Sequence, residues 1–364
     1  MKTRILLLIT AALAALTPLT AAQALPGPPY GPPAAAAPNE HPAAAPNEQP
    51  AAAARAASVT GGALFGGTPS LATSHRLHRK LAITRVYFTL GQRFTRYDYQ
   101  QDLASGSTLL VSLDARPGRG PGYAAIARGA RDRQIRTFLE GVNHAAVAHH
   151  LPAIYISFEH EANLPGHREL GSPAAFVRAW DHIHRLAARA RLNWQQGGRL
   201  HWVLILMSQA YVPRARQPGW ARNEGQAAWY WPGRREADLA GVDGYNAGGC
   251  RSAHGRPYRA PGRQVVTPAA MFGPAVQFAR AHHAPLFIAE WGTVPYRMRG
   301  VAPGYIHQMQ RFVTSSPEIA GALYWDQDGT SGVCDYRLEG HPAEMRALAA
   351  MGHSLGLQGH LARR

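Results

Sequence analysis

Ala153-Ile154-Tyr155-Ile156-Ser157-Phe158-Glu159-His160-Glu161-Ala162-Asn163 decides how this chain is read. Ala153 to Phe158 has the apolar, β-branched and aromatic make-up of a short buried strand. It runs out into a polar mouth, His-Glu-x-Asn. A carboxylate just past the C-terminal end of an apolar strand is where barrels and open sheets keep their chemistry. His-Glu also begins a helical zinc motif, which needs a second His four residues after the first. That position is Leu164, and His167 is too far along to share a helical face with His160. The zinc reading fails, no metal site or cofactor is expected, and Glu161 is left as a candidate acid or base.

Outward from this stretch, eight short β-rich runs alternate with amphipathic helical segments. The strands are read at 63–65, 83–90, 108–113, 153–158, 201–207, 239–242, 285–289 and 320–325. Most are continuous apolar runs, as strands covered on both faces should be. Their spacing, about 37 residues per unit, approaches that of a (β/α)8 TIM barrel, and this α/β architecture is the predicted fold class. An open sheet is disfavoured because no Gly-x-Gly-x-x-Gly or Walker sequence opens a helix. Asp132 precedes an apolar stripe of Ile135, Phe138, Leu139, Val142 and Ala146. Ser172-Pro173 and Thr267-Pro268 are N-cap and first-turn signals. Phe176, Trp180, Ile183 and Ala187 line one expected buried face, Phe272, Val276 and Phe278 the other.

Residues 1–24 pair a basic start (Lys2, Arg4) with an apolar run and end Ala22-Gln23-Ala24, as a secretory signal peptide does. Residues 25–60 form a Pro/Ala-rich stretch with an imperfect Pro-Asn-Glu repeat, expected to be an extended linker. Residues 61–356 are then a single catalytic domain and 357–364 a tail. Export suits the two cysteines, and a Cys250–Cys334 disulfide is expected between loops on one face. No later run is long enough to span a membrane. The protein is expected to be secreted, extracellular and monomeric.

Of 364 residues, 38 are Lys or Arg and 22 Asp or Glu, a net charge of +16, yet Lys2 and Lys80 are the only lysines. The arginines are scattered, with no aromatic-basic interleaving that would trace a nucleic-acid groove. Nucleic acid is therefore excluded as a partner. Adhesion to an anionic cell-wall surface is the one partner the charge favours.

Glu161 ends the fourth predicted strand and Glu290 the seventh, in Phe287-Ile288-Ala289-Glu290-Trp291-Gly292. Ends of barrel strands converge on one mouth. Two carboxylates facing each other across a cleft are the minimum equipment for glycosidic bond hydrolysis, one protonated and one ionised. His160-Glu161-x-Asn163, Trp180, Tyr230-Trp231-Pro232-Gly233, Gly241-Val242-Asp243-Gly244-Tyr245-Asn246, Ile288-Ala289-Glu290-Trp291-Gly292 and Leu323-Tyr324-Trp325-Asp326 occur in this order. In this set and spacing the chain resembles the family-26 glycoside hydrolases, the β-mannanase family, over roughly 63–352. The resemblance implies Glu161 as acid/base and Glu290 as nucleophile of a retaining mechanism, with the carboxyls about 5–5.5 Å apart. It implies that His160 contacts the sugar beside the acid/base, that Tyr245 holds the nucleophile, and that Trp325 floors the sugar. Asn163, Asp243 and Trp291 are taken as supporting residues.

The departures bear on substrate rather than on reaction. No Trp follows the acid/base in 164–171, Ser157 stands where the family has Arg, and the third strand offers Asp114 instead of His or Trp. The substrate is thus read as a β-linked polysaccharide, mannan or a related β-glycan. A non-catalytic carbohydrate-binding barrel and a transglycosylase are the alternatives. By alternation Glu159 shares a face with Glu161 and is assigned to an Arg partner such as Arg85. Trp229 and Trp231 are read as packing residues, and His182, His184, His282 and His283 as surface residues. Asp326, Asp328 and Asp335 are read as a solvated loop.

Overall fold

Every stretch read as a strand forms one. The computed structural model describes residues 59–95, 97–115, 120–217, 225–248, 250, 262–263, 266–328 and 334–361. The expected signal peptide and all of the expected linker but Val59 and Thr60 lie outside these. The strands are β1 (Val59–Gly62), β2 (Leu64–Thr68), β3 (Ile83–Thr89), β4 (Thr108–Asp114), β5 (Ile154–Phe158), β6 (Leu200–Met207), β7 (Leu239–Asn246), β8 (Leu286–Thr293), β9 (Ile319–Trp325) and β10 (Leu357–Leu361). β2 to β9 pair in sequence order, all parallel, and β9 returns to β2 to close an eight-stranded barrel. The helices are α1 (Ser70–Leu77), α2 (Gln100–Ala104), α3 (Tyr123–Ala127), α4 (Asp132–Ala148), α5 (Pro173–Arg189), α6 (Ala227–Tyr230), α7 (Pro268–Ala281), α8 (Val301–Thr314) and α9 (Pro342–Gly352).

The start signals act as read. Ser172 Oγ accepts from Ala175 N at 3.3 Å to cap α5, and Thr267 Oγ1 accepts from Ala270 N at 3.2 Å to cap α7. The α4 stripe and the α5 face are buried against the barrel. Trp180 packs edge-on to Trp202 of β6 and donates its indole N–H to Glu236 O at 2.9 Å, so no polar atom is stranded.

Two apolar layers result. One lies between barrel and helices; the other fills the barrel interior, with Leu64, Ile83, Leu110, Tyr155, Phe287 and Leu323 among its members. Val59 and Leu361 pack against the inner layer from below. They belong to β1 and β10, which pair antiparallel across the N-terminal end of the barrel. Here the structure corrects the expected boundaries. Val59 and Thr60 are strand, not linker, and 357–361 is not a tail but the other half of this plug.

Above the apolar inner layer, toward the C-terminal end of the barrel, the interior turns polar. Arg85, Ser112, Ser157, Asp243 and Glu290 are all buried there. This level is the floor of the C-terminal mouth.

Candidate active site

Glu290 reaches that floor through a break in strand alternation. Val242 pairs with Ile288, but Asp243 pairs with Glu290, so Ala289 is an extra residue, a β-bulge. Ala289 stays with Phe287 in the inner layer, and unbroken alternation from it would face Trp291 to the interior and Glu290 to the helices. The bulge turns Glu290 inward beside Asp243 and sends Trp291 outward, a re-aiming for which bulges next to sites are known. Trp291 is fully buried against Tyr324 and Tyr305. Its indole is enclosed on all sides and offers no face to the cleft. It supports the site only by packing behind it.

Glu161 arrives by a different device. The chain leaves β5 through Glu159 (φ 50°) and Glu161 (φ 56°), two non-glycine residues in the left-handed region. Such conformations cost of order 1–3 kcal/mol each and persist where surroundings enforce them. Glu161 N donates to Ile205 O at 2.9 Å, and Asn163 Oδ1 accepts from Met207 N at 3.0 Å; both bonds tie the turn to β6. Asn163 is buried, so its role is to hold this turn. The left-handed turn also ends the alternation on which Glu159 was placed beside Glu161. Glu159 instead accepts from Ala115 N at 2.6 Å and pairs with His167 Nδ1 at 2.6 Å. Its partner is His167 and not Arg85, which corrects the assignment made from sequence.

Arg85, fully buried on β3, serves the other carboxylates. Its Nη1 lies 3.2 Å from Asp243 Oδ1, and its Nη2 lies 3.3 Å from Glu290 Oε1 and 3.3 Å from Ser112 Oγ. Glu290 Oε1 also accepts from Tyr87 Oη, and Glu290 Oε2 from Tyr245 Oη, both through short hydrogen bonds. Ser157 leaves the fourth barrel strand without a guanidinium; the second barrel strand provides one. Arg85 and Tyr87 are the site residues that sequence reasoning did not assign. The signal was present in Ile83-Thr84-Arg85-Val86-Tyr87, where a charged residue alternates into an otherwise apolar strand. A buried Arg is tolerated only when paired.

One carboxylate oxygen from each of Glu161, Asp243 and Glu290 lies within 4.8 Å of the other two. Among the described residues this is the group dense enough to ligate a cation. Arg85 already faces two of the three, and two phenols occupy both Glu290 oxygens. Burial is the largest influence on Glu161 and raises its pKa. The neighbouring Glu290 charge raises it further, while His160 and Arg85 pull the other way. Glu161 is thereby biased toward holding a proton. Burial also pushes the Tyr87 phenol up, so it stays a donor to Glu290. His160 accepts no such neutrality. Burial works against its charge, but Asp114 outweighs it, with Oδ1 2.9 Å from His160 Nδ1, and raises the imidazole to about 10.

These side chains surround a cavity of about 470 Å3 at the C-terminal mouth. Glu161, Glu290, His160, Tyr87, Tyr245 and Trp325 line it, with Leu164 and Met207 on the Glu161 side. Trp325 stands edge-on to Tyr87 with ring centroids 5.8 Å apart. Cys250 and Cys334 are disulfide-bonded, Cα atoms 5.8 Å apart, joining the segments after β7 and β9 beside the cleft.

Other residues singled out in the sequence stand apart from it. Trp231 packs on Phe278 and His282, while Trp229 is half exposed. His182 pairs with Asp132 Oδ1 at 2.7 Å, and His184 packs on Trp202. Neither is a free surface residue. Asp326 is not solvated but buried, held by Arg76 Nη1 at 2.7 Å, Thr73 Oγ1 at 2.9 Å and Leu338 N at 2.7 Å. Asp335 pairs with Arg337.

No family model matches the sequence, and no curated protein matches it. Solved structures do match. A family-26 β-mannanase from Bacteroides ovatus superimposes with a TM-score of 0.53 at 12% identity, over 82% of this chain and 90% of that one. The endo-β-1,4-mannanase from Thermotoga petrophila gives 0.54 at 10% identity, over 81% and 77%. The GH39 enzyme from Xanthomonas axonopodis pv. citri gives 0.51 at 15% identity, over 79% and 65%. At such identities the likeness is one of fold: a (β/α)8 barrel shared with glycoside hydrolases, many of them family-26 β-mannanases.

Proposed function

We propose that this protein is an exported retaining glycoside hydrolase that cleaves a β-linked polysaccharide, mannan or a related β-glycan. One observation carries the reading: Glu161 and Glu290 line one cleft, with an oxygen of each within 4.8 Å of the other. Such a separation leaves no space for the water that an inverting enzyme places between its carboxyls. The similarity of fold to mannanases supports the substrate class, and the N-terminal apolar run and the disulfide support export.

In the first step Glu161, protonated, gives its proton to the glycosidic oxygen while Glu290 attacks the anomeric carbon. The C–O bond to the leaving sugar breaks and an ester to Glu290 forms. In the second step Glu161, now ionised, takes a proton from water, whose oxygen displaces Glu290. Tyr245 and Tyr87 hold the two Glu290 oxygens in the attacking plane. Arg85 compensates the buried negative charge, which is greatest before attack and after release. His160, charged and fixed by Asp114, donates toward the sugar, and Trp325 offers an indole face to its C–H surface.

Product release from mannan, β-glucan and xylan tests this, with Glu290→Ala and Glu161→Ala beside the wild type. Cleavage of one polymer, reduced about a hundredfold or more in both variants, supports the reading. Cleavage surviving in both variants sinks it. Binding without cleavage by the wild type shifts the reading to a non-catalytic barrel.

A further inference from the structure

The opposite, N-terminal end of the barrel carries a second cavity, about 960 Å3 in volume. Its floor is apolar, with Ala82, Pro152 and Leu361 partly exposed in it over the buried Leu64, Leu81 and Leu151. Its rim is cationic and imidazole-rich: Lys80, Arg199, His149, His150 and His360. No Asp or Glu lines it among the described residues. The chain has only two lysines, and Lys80 is the one that lies in the barrel.

The rim groups are available. Lys80 Nζ donates to the carbonyl of Ser105, which fixes the ammonium and leaves two of its three N–H donors. Arg199 Nε is buried without a partner. Among the described residues neither Lys80 nor Arg199 is paired with a carboxylate. His150 follows α4 in the left-handed region, φ 54°, where a helix end by itself asks for glycine.

We propose that this cavity binds an acidic sugar unit of an anionic polysaccharide. Its carboxylate would be held by Lys80 and Arg199, and its C–H face would rest on Ala82, Pro152 and Leu361. A concave basic rim concentrates potential for an anion. The apolar floor adds contact that a sugar ring can use and a bare inorganic anion cannot. No Phe, Tyr or Trp lines the cavity, so the stacking platform of a single-stranded nucleic-acid site is missing. The inference goes beyond the proposed hydrolysis. The two cavities occupy opposite ends of the barrel, so the protein would hold an acidic polymer while its cleft stays open.

Calorimetric titration of the full chain at low salt tests it, with oligogalacturonate, its methyl-esterified neutral counterpart, inorganic phosphate and single-stranded DNA as probes. Oligogalacturonate is expected to bind, and the esterified form and phosphate to bind at least about tenfold more weakly, since each lacks one half of the recognition. Lys80→Glu and Arg199→Glu are each expected to weaken oligogalacturonate about tenfold or more. Glu290→Ala should bind it as the wild type does, which separates this site from the cleft whether or not the cleft hydrolyses anything. Thermal melts confirm that the variants fold; Lys80→Gln replaces Lys80→Glu if that one does not. Wild-type affinity in both rim variants overturns the proposal. So does DNA, phosphate or the neutral ester binding as tightly as oligogalacturonate, and so does loss of binding in Glu290→Ala.

Discussion

Arg85 and Glu290 are joined at 3.3 Å beneath the cleft, and the same guanidinium lies 3.2 Å from Asp243. Both of its partners are buried, and burial pushes the Asp243 carboxyl well up, so the cation offsets the negative charge that the cluster does carry. Removing one member of such a group leaves an uncompensated buried charge, at about 3–5 kcal/mol. Arg85→Met is expected to lose stability of that order in a urea titration. Its kcat should also fall more than its KM changes, because Glu290 loses the guanidinium that lies against its Oε1. A variant that is less stable but keeps the wild-type kcat would show Arg85 to be structural only.

Tyr87 and Tyr245 hold opposite oxygens of Glu290. Each hydrogen bond to a charged group contributes about 1.5–3 kcal/mol, so Tyr87→Phe and Tyr245→Phe should each lower kcat about tenfold to a hundredfold. KM should move little, since the phenols touch the attacking group more than the substrate. Steady-state kinetics on the cleaved polymer distinguishes this from a binding role, in which KM would change instead.

His160 supplies a pH-dependent contribution to stability. Its folded value of about 10 lies above the ordinary 6.5, so the imidazolium–Asp114 pair is fully present below about pH 6.5. It is lost as pH rises through 10. Thermal stability is expected to fall across that window, and Asp114→Asn should flatten the dependence. An unchanged slope in the variant would assign the effect to other groups.

The mouth of the cleft ties activity to pH through Glu161. Its pKa is raised, chiefly by burial, and the first step needs it protonated. Activity should therefore fall on the alkaline side as pH passes that raised value, and Glu161→Ala should lose this limb. Azide, as an external nucleophile needing no general base, should partly restore turnover of substrates with good leaving groups. A pH–rate profile with and without azide checks both.

Two tryptophans divide packing from binding. Trp291 is buried behind the barrel wall, and Trp291→Ala should cost about 3–5 kcal/mol of stability. Trp325 lines the cavity, and Trp325→Ala should leave stability nearly unchanged while weakening substrate. Denaturation and KM measured on both variants would expose a reversal of roles.

The order of strands and helices was legible because most barrel strands are continuous apolar runs, the main helices carry apolar stripes, and α5 and α7 open on caps. Both signals are local, and the barrel follows from repeating them eight times. Glu161 and Glu290 were legible for a related reason: a carboxylate at the end of a buried strand has no packing use. What the tertiary structure decided was which way side chains point where the local rule breaks. One extra residue, Ala289, exchanges the faces of Glu290 and Trp291, and two left-handed residues around His160 send Glu159 to His167. Pairings between distant strands were equally beyond sequence. That Arg85 meets Asp243 and Glu290 depends on closure of the barrel, which sets side chains of the second, sixth and seventh barrel strands at one level. The same holds for the plug made by 59–62 and 357–361, two segments with no apolar run of their own that gain order only by pairing across the open end of the core.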